Sequence, residues 1–301
     1  MGAVSVRPIE ERDVERAGDV NFTAFLDVAL RHGQPPTVTS PADSRSYVRH
    51  LLGFDALGGL VAEVDDEIVG MAWVHPRGPV ATLGPVAVEP RSQRRGIGRA
   101  LVERCLEIAG PRVPQVRLVH ESFNAASLGL YLRCGFRVVA PLLELELRAG
   151  ASCVAPAVAG TVVRPADTPD RSRLVERDGR AFGAPRPQSV DLYLRRGRAL
   201  VAERAGAFAG YVFGIGFRDL GYLGSAAADD VDVLLLLVAG LAQPMSAEGH
   251  RLRILVAAGD RRLVDGLLAL GFRVFRACQY LVRGGGTAPP PNYVLMNGDM
   301  M

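Results

Sequence analysis

The sequence predicts two tandem α/β domains, each a central mixed β-sheet flanked by helices, and three observations carry that prediction. The chain has 301 residues, which suits two domains of ordinary size, and its 49% hydrophobic content is ample for two cores. Residues 150–160 are small, uncharged and punctuated by Pro and Gly, the composition of a linker. On either side of that run the chain repeats itself. Val61-Ala62-Glu63 recurs as Val201-Ala202-Glu203, Gly70 as Gly210 and Leu83-Gly84 as Leu223-Gly224, all at one offset of 140. The starts match as Val6-Arg7-Pro8 against Val163-Arg164-Pro165. The ends match as Cys134-Gly135-Phe136-Arg137-Val138 against Leu270-Gly271-Phe272-Arg273-Val274. A common order at near-constant spacing predicts a duplicated domain: residues 1–149, a linker at 150–160, a second copy at 161–283, and a Pro/Gly-containing segment at 284–301.

Within the first copy, residues 4–8 read as a short strand and residues 11–31 have helical spacing. A Pro-containing loop at 33–36 follows, and Ser40 or Asp43 is suited to cap a second helix through about Leu52. Residues 59–64 and 68–75 form a hairpin pattern across Asp65-Asp66-Glu67, and residues 81–88 a third strand. The turn at Gly96 and Gly98 opens a helix over 99–109. Residues 115–120 read as a strand, 125–133 as a helix, and 137–147 as an alternating final strand. An antiparallel start followed by strands and helices in alternation gives a mixed sheet in α/β layers.

Composition excludes several functions. The net charge of +3 is too small for a nucleic-acid footprint, which needs positive charge clustered on one face. Every basic side chain besides histidine is arginine; the absence of lysine rules out a Schiff-base lysine, a pyridoxal phosphate anchor and a Walker A lysine. Cys105, Cys134, Cys153 and Cys278 lack metal-ligand spacing and read as buried small hydrophobes in a reducing compartment, with no metal. The longest strongly apolar stretch, residues 231–242, is too short to span a bilayer, and the first residues lack a signal pattern. The expectation is a cytoplasmic protein with neither membrane nor nucleic-acid partner. Oligomeric state is not legible in the sequence.

The chemistry concentrates in Val86-Ala87-Val88-Glu89-Pro90-Arg91-Ser92-Gln93-Arg94-Arg95-Gly96-Ile97-Gly98-Arg99-Ala100-Leu101. A buried strand ends, a turn with two glycines follows, and an amphipathic helix begins. Glycine lets backbone approach a ligand, and the unpaired amides of a helix start point at negative charge. Arg94, Arg95 and Arg99 add positive field. A tight strand-to-helix connection with no ligand is the bland alternative. A dinucleotide fingerprint needs a third glycine where this chain has Leu101, and a Walker motif needs lysine.

What remains closely resembles the Q/R-x-x-G-x-G/A motif of the GNAT superfamily of N-acetyltransferases, with Gln93, Gly96 and Gly98 at the defining positions. The resemblance implies that the backbones of Arg94, Arg95, Gly96, Ile97, Gly98 and Arg99 hold the pyrophosphate of acetyl-CoA. It also implies that main-chain groups of Val86 and Val88 bind the pantetheine arm and thioester. A second element, Asn124-Ala125-Ala126-Ser127-Leu128-Gly129-Leu130-Tyr131-Leu132-Arg133-Cys134-Gly135-Phe136, resembles the family's N-x-x-S-x-x-x-Y-x-x-x-G-F. Helical spacing puts Asn124, Ser127 and Tyr131 roughly on one face. Asn124 and Ser127 are expected to bond the cofactor arm, and Tyr131 to donate a proton to the departing thiolate. The resemblance covers about residues 4–148 and implies transfer of acetyl from acetyl-CoA to a primary amine, on a small molecule or a peptide, by direct attack. A non-catalytic acyl-CoA-binding or sensing module is the alternative, and Tyr131 discriminates, since a pure binder has no use for a thiol acid.

The general base is less defined. Family members often carry a Glu on the strand before the phosphate loop, and residues 81–88 offer no carboxylate. Glu63, His75, His120 and Glu121 are the candidates, with Glu121 preferred because it closes the strand beside the expected splay. In the second copy, Ser225-Ala226-Ala227-Ala228-Asp229-Asp230-Val231-Asp232 replaces the glycine turn, so a pyrophosphate would meet negative charge. Asn124 corresponds to Asp260 and Tyr131 to Leu267. The second copy therefore reads as degenerate and unable to bind CoA. Mycothiol synthase is also a tandem acetyltransferase, but its carboxy-terminal copy is expected to be the active one, the inverse of this chain. After Gly284-Gly285-Gly286, Pro289-Pro290-Pro291 predicts a stiff extended segment. Tyr293-Val294-Leu295-Met296 is apolar enough to pack back across a groove near the cofactor, with Asp299 or the terminal carboxylate within reach of substrate; a floppy end is the alternative.

Overall fold

The computed structural model describes residues 3–196 and 198–295. The first copy runs β1 (Ser5–Pro8), a 3-10 turn (Glu11–Asp13), α1 (Val14–Arg31), α2 (Pro41–Phe54), β2 (Gly59–Val64), β3 (Glu67–Arg77), β4 (Val80–Val88), α3 (Ile97–Ala109), β5 (Gln115–Glu121), α4 (Ala125–Arg133) and β6 (Arg137–Leu147). The second copy repeats that order as β7 (Thr161–Pro165), α5 (Arg171–Phe182), α6 (Pro187–Arg196), β8 (Ala199–Arg204), β9 (Ala207–Phe217), β10 (Leu220–Ala228), α7 (Val231–Ala247), β11 (Arg251–Ala257), α8 (Arg261–Ala269) and β12 (Arg273–Gly284). It then adds β13 (Tyr293–Leu295).

The matched sequence fragments have a structural cause. Arg7 donates to Asp13 at 2.6 Å and to Glu63 at 2.5 Å, tying β1 to the start of the first helix and to β2. Arg164 donates to Asp170 at 2.7 Å and Glu203 at 2.8 Å in the same arrangement. The recurring Arg and Glu are thus partners in one triad per copy. Hydrogen bonding to Arg7 holds the Asp13 carboxyl below the usual carboxylate range, and Arg164 does the same to Asp170. Ser40 is the cap of α2: its hydroxyl accepts from the Asp43 amide at 3.1 Å, and Pro41 takes the first helical position. The β2–β3 turn rests on Asp65 and Asp66 at φ 51° and 63°, the left-handed pair that a two-residue hairpin turn requires.

By contacts the chain divides into two compact units, and the division differs from the repeat. One unit comprises the residues up to Arg137 together with Leu281–Gly286; the other comprises Val138–Tyr280 together with the residues from Thr287 onward. The boundary expected near residue 150 is therefore replaced by an exchange of final strands. From Val138, β6 belongs to the second unit, where residues Leu142 to Leu147 pair antiparallel with Ala257 to Leu252 of β11. The end of β12 belongs to the first unit, where Leu281 is fully buried in a cluster with Leu118 and Phe136 and Gly285 N–H donates to Pro114 O at 3.0 Å.

In the first unit β1, β2, β3 and β4 pair antiparallel in sequence order, and β5 pairs parallel to β4. Alternation along β2 sorts the layers. Leu60 and Ala62 face Ile97, Leu101, Val102 and Cys105 of α3. Val61 on the opposite side joins Val14, Ala17 and Val20 of α1 and Val48 and Leu51 of α2. In the second unit the strand order is β12-β6-β11-β13-β10-β9-β8-β7. Its core centres on α7, where Val233, Leu234, Leu237, Val238 and Ala242 are all fully buried.

The segment expected as a linker packs into this second unit. Cys153 is buried, its amide donates to Gln243 Oε1 at 2.7 Å, and desolvation pushes its thiol up to about 11. Ser246 Oγ donates to the carbonyls of Arg148 and Ala151. Cys105 and Cys278 are buried free thiols and Cys134 is half-buried. Among the described residues no helix is long and apolar enough to cross a membrane, and no group of His, Cys, Asp and Glu is arranged to hold a metal.

Candidate active site

The site forms where β4 and β5 part. They pair in parallel at Val80 to Thr82 against Gln115 to Arg117. On its other side β4 stays paired with β3 as far as Val88↔Gly70. Glu89 N–H donates to Val69 O at 2.9 Å, so the main-chain groups of Glu89 and, two residues back, Ala87 point at β3. Those of Val86 and Val88 therefore point toward β5, into the splay.

Residues 89–96 connect β4 to α3. Gly96 precedes the helix at φ 84° and Arg94 sits at φ 61°, so the turn uses left-handed backbone twice and a side chain at 96 would be strained. The first bond of the helix runs from Ala100 N–H to Gly96 O. The amides of Ile97, Gly98 and Arg99 thus have no helical carbonyl to meet, and Gly96 has no side chain with which to cap them. Arg94 and Arg95 are exposed beside it. Arg99 pairs with Glu103 at 2.8 Å on the exposed side of α3. Gln93, expected at the cofactor, uses its side-chain amide inside the protein: Nε2 donates to Val88 O at 3.0 Å and fastens the loop to the end of β4.

Asn124 and Ser127 open α4. Asn124 Oδ1 accepts from Ser127 N–H at 3.3 Å as the helix cap, and Ser127 Oγ donates to Asn124 O at 3.1 Å. His120 Nε2 lies 2.8 Å from Ser127 Oγ and 3.1 Å from Asn124 O. In the tautomer protonated at Nε2 the ring donates to these oxygens. Tyr131 stands edge-on to His120, with ring centroids 5.9 Å apart, and edge-on to Phe136 at 5.8 Å. No residue of α4 is fully buried, Tyr131 included, so the helix leaves its inward face accessible beside the splay.

The four base candidates separate cleanly. Glu63 belongs to the Arg7 triad. His75 has Asp55 Oδ2 2.5 Å from Nδ1 and Gly84 O 3.0 Å from Nε2, so both ring nitrogens are occupied by the protein; Arg77 also binds Asp55. His120 is committed to the start of α4. Glu121, at the end of β5, accepts a hydrogen bond from Thr37 Oγ1 at 3.3 Å, which joins the strand end to the α1–α2 loop. Thr37 was not singled out in the sequence, where a loop threonine carries no signal. His32 of the same loop packs on Phe123 at 5.4 Å.

The splay, the helix start with uncapped amides and the tyrosine on the following helix lie in one region of the first unit. Residues 28–136 match the Acetyltransferase (GNAT) family. The mycothiol acetyltransferase of Brachybacterium faecium is 34% identical over 146 residues, 46% of this chain and 42% of that protein. The one from Streptomyces griseus subsp. griseus is 36% identical over 86 residues, 28% of each. These alignments span less than half the length of the relatives. A putative acetyltransferase structure from Pyrococcus horikoshii superposes with a TM-score of 0.76 at 22% identity, covering 99% of this chain and 94% of that one. A tandem GNAT protein from the clavulanic acid biosynthesis pathway superposes at 0.64 and 17% identity, covering 95% and 100%. Residues 28–136 thus resemble a GNAT acetyltransferase domain, and the fold of the chain is that of a tandem GNAT protein.

Proposed function

We propose that the first copy binds acetyl-CoA in the β4–β5 splay and transfers its acetyl group to a primary amine, while the second copy binds no CoA. One observation carries this reading, and it is internal to the chain. In the second copy the equivalent strands, β10 and β11, hold an extended peptide between them, and Ala228 N–H donates to the carbonyl of Asn292 at 3.4 Å. Ala228 is the repeat of Val88 at the offset of 140. The β4–β5 splay is thus a slot for an extended chain with amide groups, which describes a pantetheine arm. The uncapped amides of residues 97–99 and the charges of Arg94 and Arg95 lie at the end of the slot where a pyrophosphate would bind.

In the reaction the amine attacks the thioester carbonyl carbon. Glu121 takes the ammonium proton, directly or through a water, and releases it to solvent; the C–N bond forms as the C–S bond breaks; Tyr131 donates its proton to the sulfur, and the second proton of the attacking nitrogen, passed on through water, restores the tyrosine. Asn124 and Ser127 act by shaping the start of α4, in addition to any contact with the arm. The second copy is degenerate for concrete reasons: Asp229 and Asp230 alone connect β10 to α7, and the Asp230 carboxylate itself caps the helix by accepting from Val233 N–H at 3.0 Å. Thiol release from acetyl-CoA measured across a panel of primary amines tests the reading. Turnover on at least one amine that is lost in Tyr131→Phe supports it; CoA binding without turnover on any amine supports the sensing module.

A further inference from the structure

The second unit contains a binding slot that its own chain fills. β10 and β11 pair in parallel at Leu220 to Leu223 against Arg251 to Ile254, then separate. β13 enters the gap antiparallel to both strands, with Ala226↔Val294 and Ala227↔Tyr293 on one side and Leu255↔Leu295 and Val256↔Val294 on the other. Three further features are fitted to this occupant. Asp260 uses Oδ1 to cap α8 at Leu263 and Oδ2 to accept the Asn292 N–H at 2.8 Å. Gly224 admits the Leu295 carbonyl so closely that a Cβ there would lie 2.4 Å from the oxygen. Below the strand lies a fully buried polar group in which Arg186, Tyr211 and Ser225 all bond the Asp178 carboxylate. Tyr293 is near enough to interact electrostatically with Arg186 and Tyr211. Val294, on the opposite face, is fully buried in the core around α7.

We propose that this slot is a receptor for an extended peptide of the form Asn-Tyr-Val-Leu, that the chain's own residues 292–295 are its resident ligand, and that acyl-CoA does not compete for it. The chemistry selects a peptide over an acyl-CoA. The Asp230 carboxylate, paired with Arg204, already caps α7, and the Asp260 carboxylate accepts a peptide N–H, so neither leaves a donor for a phosphate. Main-chain pairing on both edges supplies affinity, and the polar group under Tyr293 with the apolar seat of Val294 supplies sequence preference. Where the first copy has Asn124 and the glycine turn, the second has Asp260 and Asp229-Asp230.

The test uses the full-length chain with a protease site placed within residues 287–290 and cut under native conditions. The freed segment should stay bound, should exchange with a labelled synthetic peptide spanning residues 289–295, and should be unaffected by millimolar CoA. Asp260→Asn keeps the α8 cap, since Asn caps as well as Asp, but removes the acceptor for Asn292; it should weaken retention about tenfold. Displacement by CoA, or retention indifferent to Asp260→Asn, overturns the proposal. Should cutting unfold the second unit, hydrogen exchange on the uncut chain decides: the Val294 and Leu295 amides should be protected equally with and without saturating CoA and should lose protection in Asp260→Asn. Loss of their protection on adding CoA contradicts it.

Discussion

Two splays, one in each copy, began from the same strands and helices and ended with opposite fillings. In the first, β4 and β5 part with no strand of the described chain between them, and α4 buries none of its residues. In the second, β13 sits between β10 and β11, and α8 buries Leu263 and Leu267 completely; Leu267 is the repeat of Tyr131. The helix starts differ in the same sense. Gly96 leaves the α3 amides without a side-chain cap, whereas Asp230 accepts from the Val233 amide of α7. A ligand site is kept by what the sequence declines to fill. A strand-to-helix turn cut from eight residues to two, Leu267 in the place of Tyr131 and one short strand distinguish the filled splay from the open one.

The comparison breaks most visibly at Gly98. Gly98→Asp places a carboxylate among the first-turn amides, where it suits the helix dipole but opposes a pyrophosphate; CoA affinity should fall about 100-fold, roughly 3 kcal/mol, with the thermal midpoint retained. Retained affinity by titration calorimetry would remove the phosphate site from this turn. Next comes Tyr131→Phe, with turnover down by about 10²-fold or more and CoA affinity unchanged. Glu121→Gln should lower kcat/KM on the amine by about 10²-fold and abolish the acidic limb of its pH profile, again sparing CoA affinity. A smaller effect is expected at the second helix start: Asp230→Ala should cost about 1 kcal/mol of stability through the lost cap and confer no CoA binding, since β13 still fills the slot.

The smallest effect concerns what the copies share. Asp13 and Asp170 have folded pKa values lowered by their arginines. Their contribution to stability is present above the unfolded value of about 3.9 and is lost as pH falls through the lowered folded values. Thermal midpoints should therefore drop below about pH 4, and Arg7→Met and Arg164→Met should each flatten that dependence to a similar extent. Unequal responses would mean that the two triads are not equivalent.

Much of this was legible locally. Strand alternation, helix spacing and turn residues gave the elements nearly to the residue, because each is set by its own side chains: α4 and β6 match their expected spans, while α3 starts two residues earlier, at Ile97. The glycine turn was legible as a helix start because Gly96 acts through its left-handed backbone. Gln93 was not, since its motif position says nothing about the Val88 carbonyl it binds. The exchange of β6 and the end of β12 was invisible: a strand has the same alternation whichever sheet it joins. Residues 293–295 were recognised as too apolar for solvent, but their destination depended on Asp260 and Gly224, distant in sequence. Asp299, the other part of that expectation, lies outside the described residues.

The central claim is that the chain has one acyl-CoA site and that it lies in the first copy. Calorimetric titration of the full chain with CoA tests it most directly. One CoA should bind per chain, Gly98→Asp should weaken that binding about 100-fold, and Asp260→Asn should leave it intact. A stoichiometry of two, or binding that is unchanged in Gly98→Asp and falls with Asp260→Asn, would contradict the account.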